Sequence, residues 1–336
     1  MSRGLAVGDV VIPGRVLVAP MTGVSDLPFR IIASRLGAAY VATEMVACES
    51  LARGRPDVVR RAAVGEGLPL TVIQLVGRDP AQIAAGARMA EAAGADLIDL
   101  NMGCPAKEVT GALCGSALMR DLDLAEAVIR AAADATSRPV TLKMRLGWDD
   151  GSRNAPELAT RAEAAGVKAI TVHGRTRQAF YGGVADWDAV AAVKAAVRVP
   201  VIVNGDVTDI DSAREALQRS GADAAMLGRG VYGRPWIAAA LDRGLQNGAN
   251  AAEPEAEARL AIVLEHLSLS LGFYGEGLGL RMFKKHLGYY IEAAPWPAAA
   301  EDRRAAKARL CRLDSPAEIE RGLTALWMDA AMRVAA

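Results

Sequence analysis

Along the first two-thirds of the chain, short β-rich apolar runs alternate with longer Ala-rich stretches. The runs are "RVLVAPM", "AAYVATEMV", "LTVIQLVG", "DLIDLNMG", "VTLKMRLG", "AITVHGRT", "VIVNGDV" and "AAMLGRG". Their length and composition predict buried strands. The stretches between them, such as "AQIAAGARMAEAAG" and "APELATRAEAAG", carry apolar residues at helical spacing. Entry into the runs also alternates. The second, fourth, sixth and eighth follow a glycine ("GAAYVA", "GADLID", "GVKAIT", "GADAAM"), which suits a helix C-cap leading into a strand. The third, fifth and seventh follow a proline ("LPLTVI", "RPVTLK", "VPVIVN"), which stops a helix and starts an extended segment.

Eight strand–helix units over roughly 240 residues match the size of a (β/α)8 TIM barrel, about 250 residues. A doubly wound open sheet is the alternative α/β fold, and it does not require the count to reach eight. The pattern breaks at "QNGANAAEPEAEA", residues 246 to 258, which reads as a linker. This places a barrel domain at 1–245 and a second domain at 255–336. Only helices are predicted beyond the break: "EARLAIVLEHLSLSL", "LRMFKKHLGYYIE", "AAEDRRAAKARLCRL" and "SPAEIERGLTALWMDAAM". The last opens with Ser315 at N-cap, Pro316 at N1 and Glu318 at N3, a capping box. The predicted fold is therefore an α/β TIM barrel followed by a small all-α helical bundle.

Composition narrows the function. Of 336 residues, 52% are hydrophobic, enough for a sizeable core, and the formal net charge is +0. Neutrality argues against a dominant basic surface, so a nucleic-acid partner would have to be held by a local patch. With 4 Cys, no secretory signal in "MSRGLAVGDVVIPG" and no apolar stretch of membrane length, a cytoplasmic, reducing location without disulfides is expected.

In such barrels, reactive residues sit where strands end and loops begin. Following the eight runs are Pro20-Met21-Thr22, Glu44, Gln74, Asn101 with Cys104, Lys143 with Arg145, His173 with Arg175, Asn204-Gly205-Asp206 and Gly228-Arg229-Gly230. The last two turns lie where barrels often hold a phosphate through backbone N–H groups, and Arg229 can pair with it. Gln74 can hydrogen-bond a planar heterocycle such as a flavin. Lys143 can stabilise negative charge, form a Schiff base, or make a structural ion pair. His173 is a ligand contact or a packing residue; His266 and His286, the other histidines, lie on tail helices. No spacing of His, Cys and carboxylates supports a metal site. Cys48 and Cys311 read as filler. A thiol of ordinary pKa, about 8.5, is mostly protonated at neutral pH, so Cys104 could donate a proton without tuning; a nucleophilic role would need a partner to lower that pKa.

These residues carry a family likeness. The chain resembles the bacterial tRNA-dihydrouridine synthases, specifically their B-type branch. "APMTGVSDLPFR", "VIQLVG", "IDLNMGCPAKEVTGALCGSALMRD", "TLKMRLGWDD", "ITVHGRTRQAFYGGVADW", "VIVNGDV" and "MLGRG" follow in the family's order, with a looser match in the tail through "FKKHLGYYI". The resemblance implies an FMN-binding catalytic barrel and a helical tRNA-binding domain. It implies reduction of a tRNA uridine to 5,6-dihydrouridine by NADPH or NADH. Hydride passes from flavin N5 to C6, and Cys104 protonates C5 from the opposite face. Pro20, Met21 and Thr22 would line the flavin. Gln74 and Lys143 would contact its ring, with His173 close by. Asn204, Gly205, Asp206, Gly228 and Arg229 would hold its phosphate. Asn101, Arg145 and Arg175 are candidates for positioning the base, which must leave its stack to enter the barrel mouth. "RMFKKH" and "RRAAKAR" would grip tRNA phosphates. No membrane and no obligate protein partner is expected. Glu108, Ala112 and Cys114 depart from the family's pattern in the Cys104 loop.

Three rivals remain at this level. Another FMN barrel, such as a dihydroorotate or ene reductase, would not need the basic tail. A Schiff-base aldolase acting through Lys143 would carry no flavin. A binding protein would keep the barrel and do no chemistry.

Overall fold

Eight parallel strands form one sheet that curls on itself with helices outside. A computed structural model describes residues 4–65, 67–248, 253–295 and 299–335. Residues 1–3 of the segment scanned for a signal, and 249–252 of the predicted linker, lie outside them. An antiparallel hairpin, β1 (Leu5–Val7) and β2 (Val10–Ile12), comes first. The sheet then contains β3 (Val16–Val18), β4 (Val46–Ala47), β5 (Val72–Val76), β6 (Leu97–Met102), β7 (Val140–Arg145), β8 (Ala169–His173), β9 (Val201–Asn204) and β10 (Ala224–Leu227). Their order is β3-β10-β9-β8-β7-β6-β5-β4. Parallel bridges Val18↔Val41 and Ala42↔Val72 join the two ends, so the ring is TIM-barrel-like. The second predicted run is thus divided between two bridge residues and the short β4.

The punctuation in the sequence has a backbone cause. Gly37, Gly94, Gly166 and Gly221 have φ of +97°, +96°, +101° and +63°, left-handed values that end a helix without a Cβ clash. Pro139 and Pro200 begin their strands, where their carbonyls still accept from Ile98 N–H (3.1 Å) and Ile170 N–H (2.9 Å). Aspartates start several barrel helices: Asp26, Asp79, Asp121, Asp186 and Asp209 each accept a first-turn backbone N–H. After β4, two short helices, Cys48–Ala52 and Pro56–Arg61, take the place of one longer helix.

The barrel interior is graded. Leu17, Val72, Leu97, Ala169, Ile202 and Ala224 form its lower part, and Leu5, Val7 and Ile12 of the hairpin plug it from below. The eight-run pattern did not reveal this plug. Above the apolar floor the inward residues turn polar. Paired registers set Gln74 beside Asp99, Asp99 beside Thr141, Asn101 beside Lys143, and Arg145 beside His173.

Beyond the helix Ile237–Asn247 come the helices Ala256–Tyr274, Glu276–Glu292, Ala300–Cys311 and Pro316–Ala335. They bury their own cluster, including Phe283, Leu287, Ile291, Leu310, Ile319 and Leu323. Among the described residues, no helix is long and apolar enough to cross a membrane. Among the described residues the tail contacts the barrel at several points, two of which fix its placement. Helix Ala256–Tyr274 packs along helix Leu27–Arg35, with an Arg35–Glu265 ion pair between them. Tyr289 stacks on Tyr232 at 4.2 Å, after β10.

At this second contact Gly233 has φ +67°, and a Cβ on it would stand 2.2 Å from Tyr289 O and 2.6 Å from its carbonyl carbon. Gly233→Ala must therefore strain the backbone or push the tail outward, costing at least about 2 kcal/mol. The expected result is a lower unfolding temperature and faster proteolytic release of the tail. An unchanged melting profile would mean that the two surfaces do not meet this closely.

Candidate active site

The polar upper layer of the barrel is one connected network. Asp99, fully enclosed, accepts from Gln74 Nε2 at 2.6 Å and from Thr141 Oγ1 at 2.6 Å. Burial pushes its carboxyl up to about 6, held from going higher by those two donors and by Lys143. The other end of the Gln74 amide accepts from Asn101 Nδ2 at 2.8 Å, and the Gln74 backbone N–H donates to Thr43 Oγ1 at 3.0 Å. Asn101 Oδ1 then accepts the N–H groups of Gly103 (3.2 Å) and Cys104 (3.0 Å). The strand exit that carries the cysteine is therefore tied, through side chains, to a carboxylate in the middle of the barrel.

Cys104 is held from its other side as well. Its carbonyl accepts from Ser116 Oγ at 2.8 Å and Ser116 N at 3.2 Å, while Arg145 Nε donates to the Gly103 carbonyl at 2.8 Å. The thiol is half-buried, and desolvation raises its pKa; Arg145 and Lys143 oppose that shift without reversing it. It is a neutral thiol at neutral pH, suited to give a proton and poorly suited to act as a thiolate. Cys114 lies beyond the short helix Lys107–Gly111, also half-buried and also shifted upward by burial. Glu108 is exposed on that helix.

The structure gathers most of the residues singled out by the strand-end reading. Lys143 Nζ donates to Asn204 Oδ1 at 2.9 Å, and Asn204 Nδ2 to the Met226 carbonyl at 2.8 Å. Burial lowers the Lys143 ammonium to about 8, with Arg145 adding to the effect. Beside it, His173 Nε2 is 3.2 Å from Arg175 NH1. Burial first, then Arg145, Lys143, Arg175 and Arg229, keep this imidazole well below its usual value, so it is neutral. Gly23 N–H donates to Glu44 Oε1 at 2.6 Å, which fixes the Pro20-Met21-Thr22 turn against the second strand.

The two arginines named as candidates for positioning the base are held by other groups of the protein. Arg145 spends its guanidinium on the carbonyls of Gly103, Thr176 and Phe180. Arg175 donates to the carbonyls of Gly182 and Gly183 and to Asp206 Oδ2 (2.7 Å). Both are buried, and both hold the loop after β8 over the barrel. Gln74, too, offers no unbound side-chain end. Spacing could not reveal this, because the partners come from neighbouring strands for Gln74, from other loops for Arg145, and from the fold-back of its own loop for Arg175.

The turns after β9 and β10 lie side by side. Asp206 has φ +56°, and its carboxylate is taken by Arg175 and by the Ala185 N–H (2.7 Å). Gly228 faces open space where a Cβ would be. Arg229 is 54% exposed, 3.6 Å from Asp206 and over the ring of Tyr181 at 5.4 Å. A glycine-walled gap beside an exposed guanidinium suits a phosphate. A cationic, largely dehydrated wall of Lys143 and Arg145 suits an electron-rich planar ring. The donor set thus fits the FMN that the resemblance implies.

Several contributors escaped the sequence reading. Asp99 was visible as an acidic residue inside an apolar strand. Tyr181 lies under both Arg145 and Arg229 and is one of the exposed aromatics in "AFYGGVADW". Trp148 is clamped between Arg120 (4.9 Å) and Arg177 (5.0 Å), which binds the loops after β6, β7 and β8 together. A cavity of about 640 Å³ opens between barrel and tail, lined in part by Arg60, Arg61, Tyr232, Tyr274 and Lys285.

Comparison with known proteins agrees with this geometry. A probable tRNA-dihydrouridine synthase of Rhodobacter capsulatus is 52% identical over 292 residues, 86% of this chain and 90% of that protein. The tRNA-dihydrouridine synthase B of Pseudomonas putida is 41% identical over 290 residues, 86% of each chain. Among solved structures, histamine dehydrogenase from Rhizobium sp. 4-9 shares the fold with a TM-score of 0.56 at 14% identity, over 79% of this chain and 50% of that one. The sequence model of the dihydrouridine synthase family matches residues 17–318, and the chain belongs to that family.

Proposed function

We propose that the protein is an FMN-dependent tRNA-dihydrouridine synthase that acts in the cytoplasm, drawing reducing equivalents from NADPH or NADH. The observation that carries the reading is the neutral Cys104 thiol, fixed at its root by Asn101, Arg145 and Ser116 and set beside the cationic Lys143 wall. The chemistry a bound flavin supplies is hydride transfer to C6 of a uracil ring. Every other task falls to side chains. Arg229, with the backbone at Asn204, Gly205, Asp206 and Gly228, holds the phosphate. Pro20, Met21 and Thr22 line the ring. Lys143 sets positive charge against it, and His173 offers a neutral nitrogen. Gln74 acts by holding Asn101. Cys104 delivers a proton to C5, where negative charge develops after C6 is reduced. Asn101, Arg145 and Arg175 position the base by holding the cysteine turn and the loop after β8.

The division of labour proposed is a catalytic barrel over 1–245 and a tRNA-binding tail over 255–336. The two basic runs of the tail contribute unequally. In "RRAAKAR", Arg303 donates to the carbonyls of Ile291 and Ala294, and Lys307 pairs with Glu292 at 2.6 Å, so both close the preceding helix. Lys285 of "RMFKKH" instead lines the cleft with Arg60 and Arg61 of the barrel. Those cations form the local patch that a chain of net charge +0 requires.

Undermodified tRNA incubated with the purified protein, FMN and NADPH should gain dihydrouridine, read by nucleoside mass spectrometry. Cys104→Ala should still bind flavin and oxidise NADPH while product formation falls about 10²-fold or more. Loss of flavin binding in that variant would make the cysteine structural. A second expectation concerns pH. Because the Lys143 ammonium titrates at about 8, an anionic ligand meets a charged lysine below that pH and a neutral one above it. FMN affinity for the apoprotein should weaken above pH 8, by up to about tenfold per unit, and Lys143→Met should bind weakly at every pH without this limb. A flat wild-type profile would remove Lys143 from the ring contact. Finally, the plot of log affinity for tRNA against log salt should lose about one unit of slope for each of Arg60, Arg61 and Lys285 changed to Ala. Slopes equal to wild type would move the RNA to another face.

A further inference from the structure

Where the tail docks on the first barrel helix, three side chains distant in sequence meet. Asp26 precedes helix Leu27–Arg35, His266 lies within Ala256–Tyr274, and His286 lies within Glu276–Glu292. One donor atom from each stands within 4.8 Å of the other two, and all three residues are buried. None of them belongs to the barrel-mouth set.

The hydrogen-bond inventory of this group is incomplete in a directional way. His266 Nδ1 lies 2.9 Å from the Tyr290 hydroxyl, and its Nε2 has no partner. His286 Nε2 is likewise buried without a partner, as is Ser270 Oγ one helical turn after His266. Asp26 caps its helix by accepting from Phe29 N–H at 3.1 Å and accepts from Tyr274 OH at 3.1 Å, which leaves lone pairs on both oxygens. A buried nitrogen without a partner is costly, so two of them, on rings 4.3 Å apart, call for an occupant. His266, with one ring nitrogen held by a hydrogen bond and the other bare, has the arrangement of a metal ligand with an outer partner. The two imidazoles are 4.3 Å apart, centre to centre, and Phe29 stacks on His286 at 5.8 Å, giving the group an apolar wall.

We propose that Asp26, His266 and His286 bind one divalent transition-metal ion, zinc or a close congener, that fastens the helical tail to the barrel. A set of two imidazoles and one carboxylate suits zinc and other first-row ions. Glu44 adds negative charge nearby, and Arg30 opposes it; the Arg30 guanidinium donates to the Ala63 carbonyl at 2.7 Å. The spacing of these residues could not suggest the site, because it exists only where barrel and tail touch.

The test uses the full-length protein, stripped by a chelator and titrated with zinc, then with cobalt(II) as a spectroscopic probe. Wild type should hold one equivalent per chain after dialysis, and the ion should raise its melting temperature. The cobalt form should show visible ligand-field bands without a thiolate-to-cobalt charge-transfer band. His286→Phe, which preserves the ring contact with Phe29, should fold yet lose both the equivalent and the thermal increment. Three results would each overturn the proposal: no retained metal and no thermal response in wild type, as expected if ordered water fills the gap; a thiolate charge-transfer band, which moves the ion to the cysteines; or full binding by His286→Phe.

Discussion

A buried carboxylate, Asp99, sets the order of everything above it in the barrel. A charged group in that position is tolerable only when its oxygens are matched by donors. Gln74 and Thr141 supply them from the two neighbouring strands. Once the Gln74 nitrogen is committed to Asp99, its oxygen can only accept, and Asn101 must present its amide nitrogen. The Asn101 oxygen is then left to receive the backbone of Gly103 and Cys104. A choice made at the centre of the barrel propagates, one amide at a time, to the turn that carries the thiol. Such a network rigidifies a site because no single member can rotate without orphaning another.

Charge at the mouth follows a similar economy. Lys143, Arg145, Arg175 and Arg229 surround His173, although the chain as a whole is neutral. Several surface cations of the barrel are matched by acids on neighbouring helices, as with Arg161 and Asp123 or Arg219 and Asp188. At the mouth, matching is partial: Asp206 serves Arg175 closely and Arg229 only at 3.6 Å. The excess positive potential is therefore confined to a walled space, where low dielectric makes it act strongly on an anionic ligand and weakly on anything outside. Burial first, and the same field after it, keep His173 neutral, while the field moderates, without inverting, the effect of burial on Cys104.

The tail is placed by shape as much as by charge. Gly233 admits the Tyr289 carbonyl, and Tyr232 stacks on the same residue. Together with the packing of the tail on helix Leu27–Arg35, these contacts bring Lys285 into one cavity with Arg60 and Arg61. The cleft proposed to receive the tRNA is thus a product of two surfaces, barrel and tail.

The sequence by itself determined the barrel, because the signals are local. Glycines at Gly37, Gly94, Gly166 and Gly221 take left-handed φ values that other residues resist, and prolines start strands where a missing N–H costs nothing. Strand ends were equally legible, so Cys104, Lys143, His173 and Arg229 could be named as one face before any fold was known. Tertiary structure decided what those side chains are free to do. Arg145, Arg175 and Gln74 look available in the sequence, yet loop carbonyls hold both arginines and the Asp99 carboxylate holds Gln74. It also decided what plugs the barrel floor, how Trp148 binds the loops together, and that Asp26 meets two tail histidines. Periodicity reports which face a residue occupies; its partners across that face are set by packing between segments far apart in the chain, which no local pattern records.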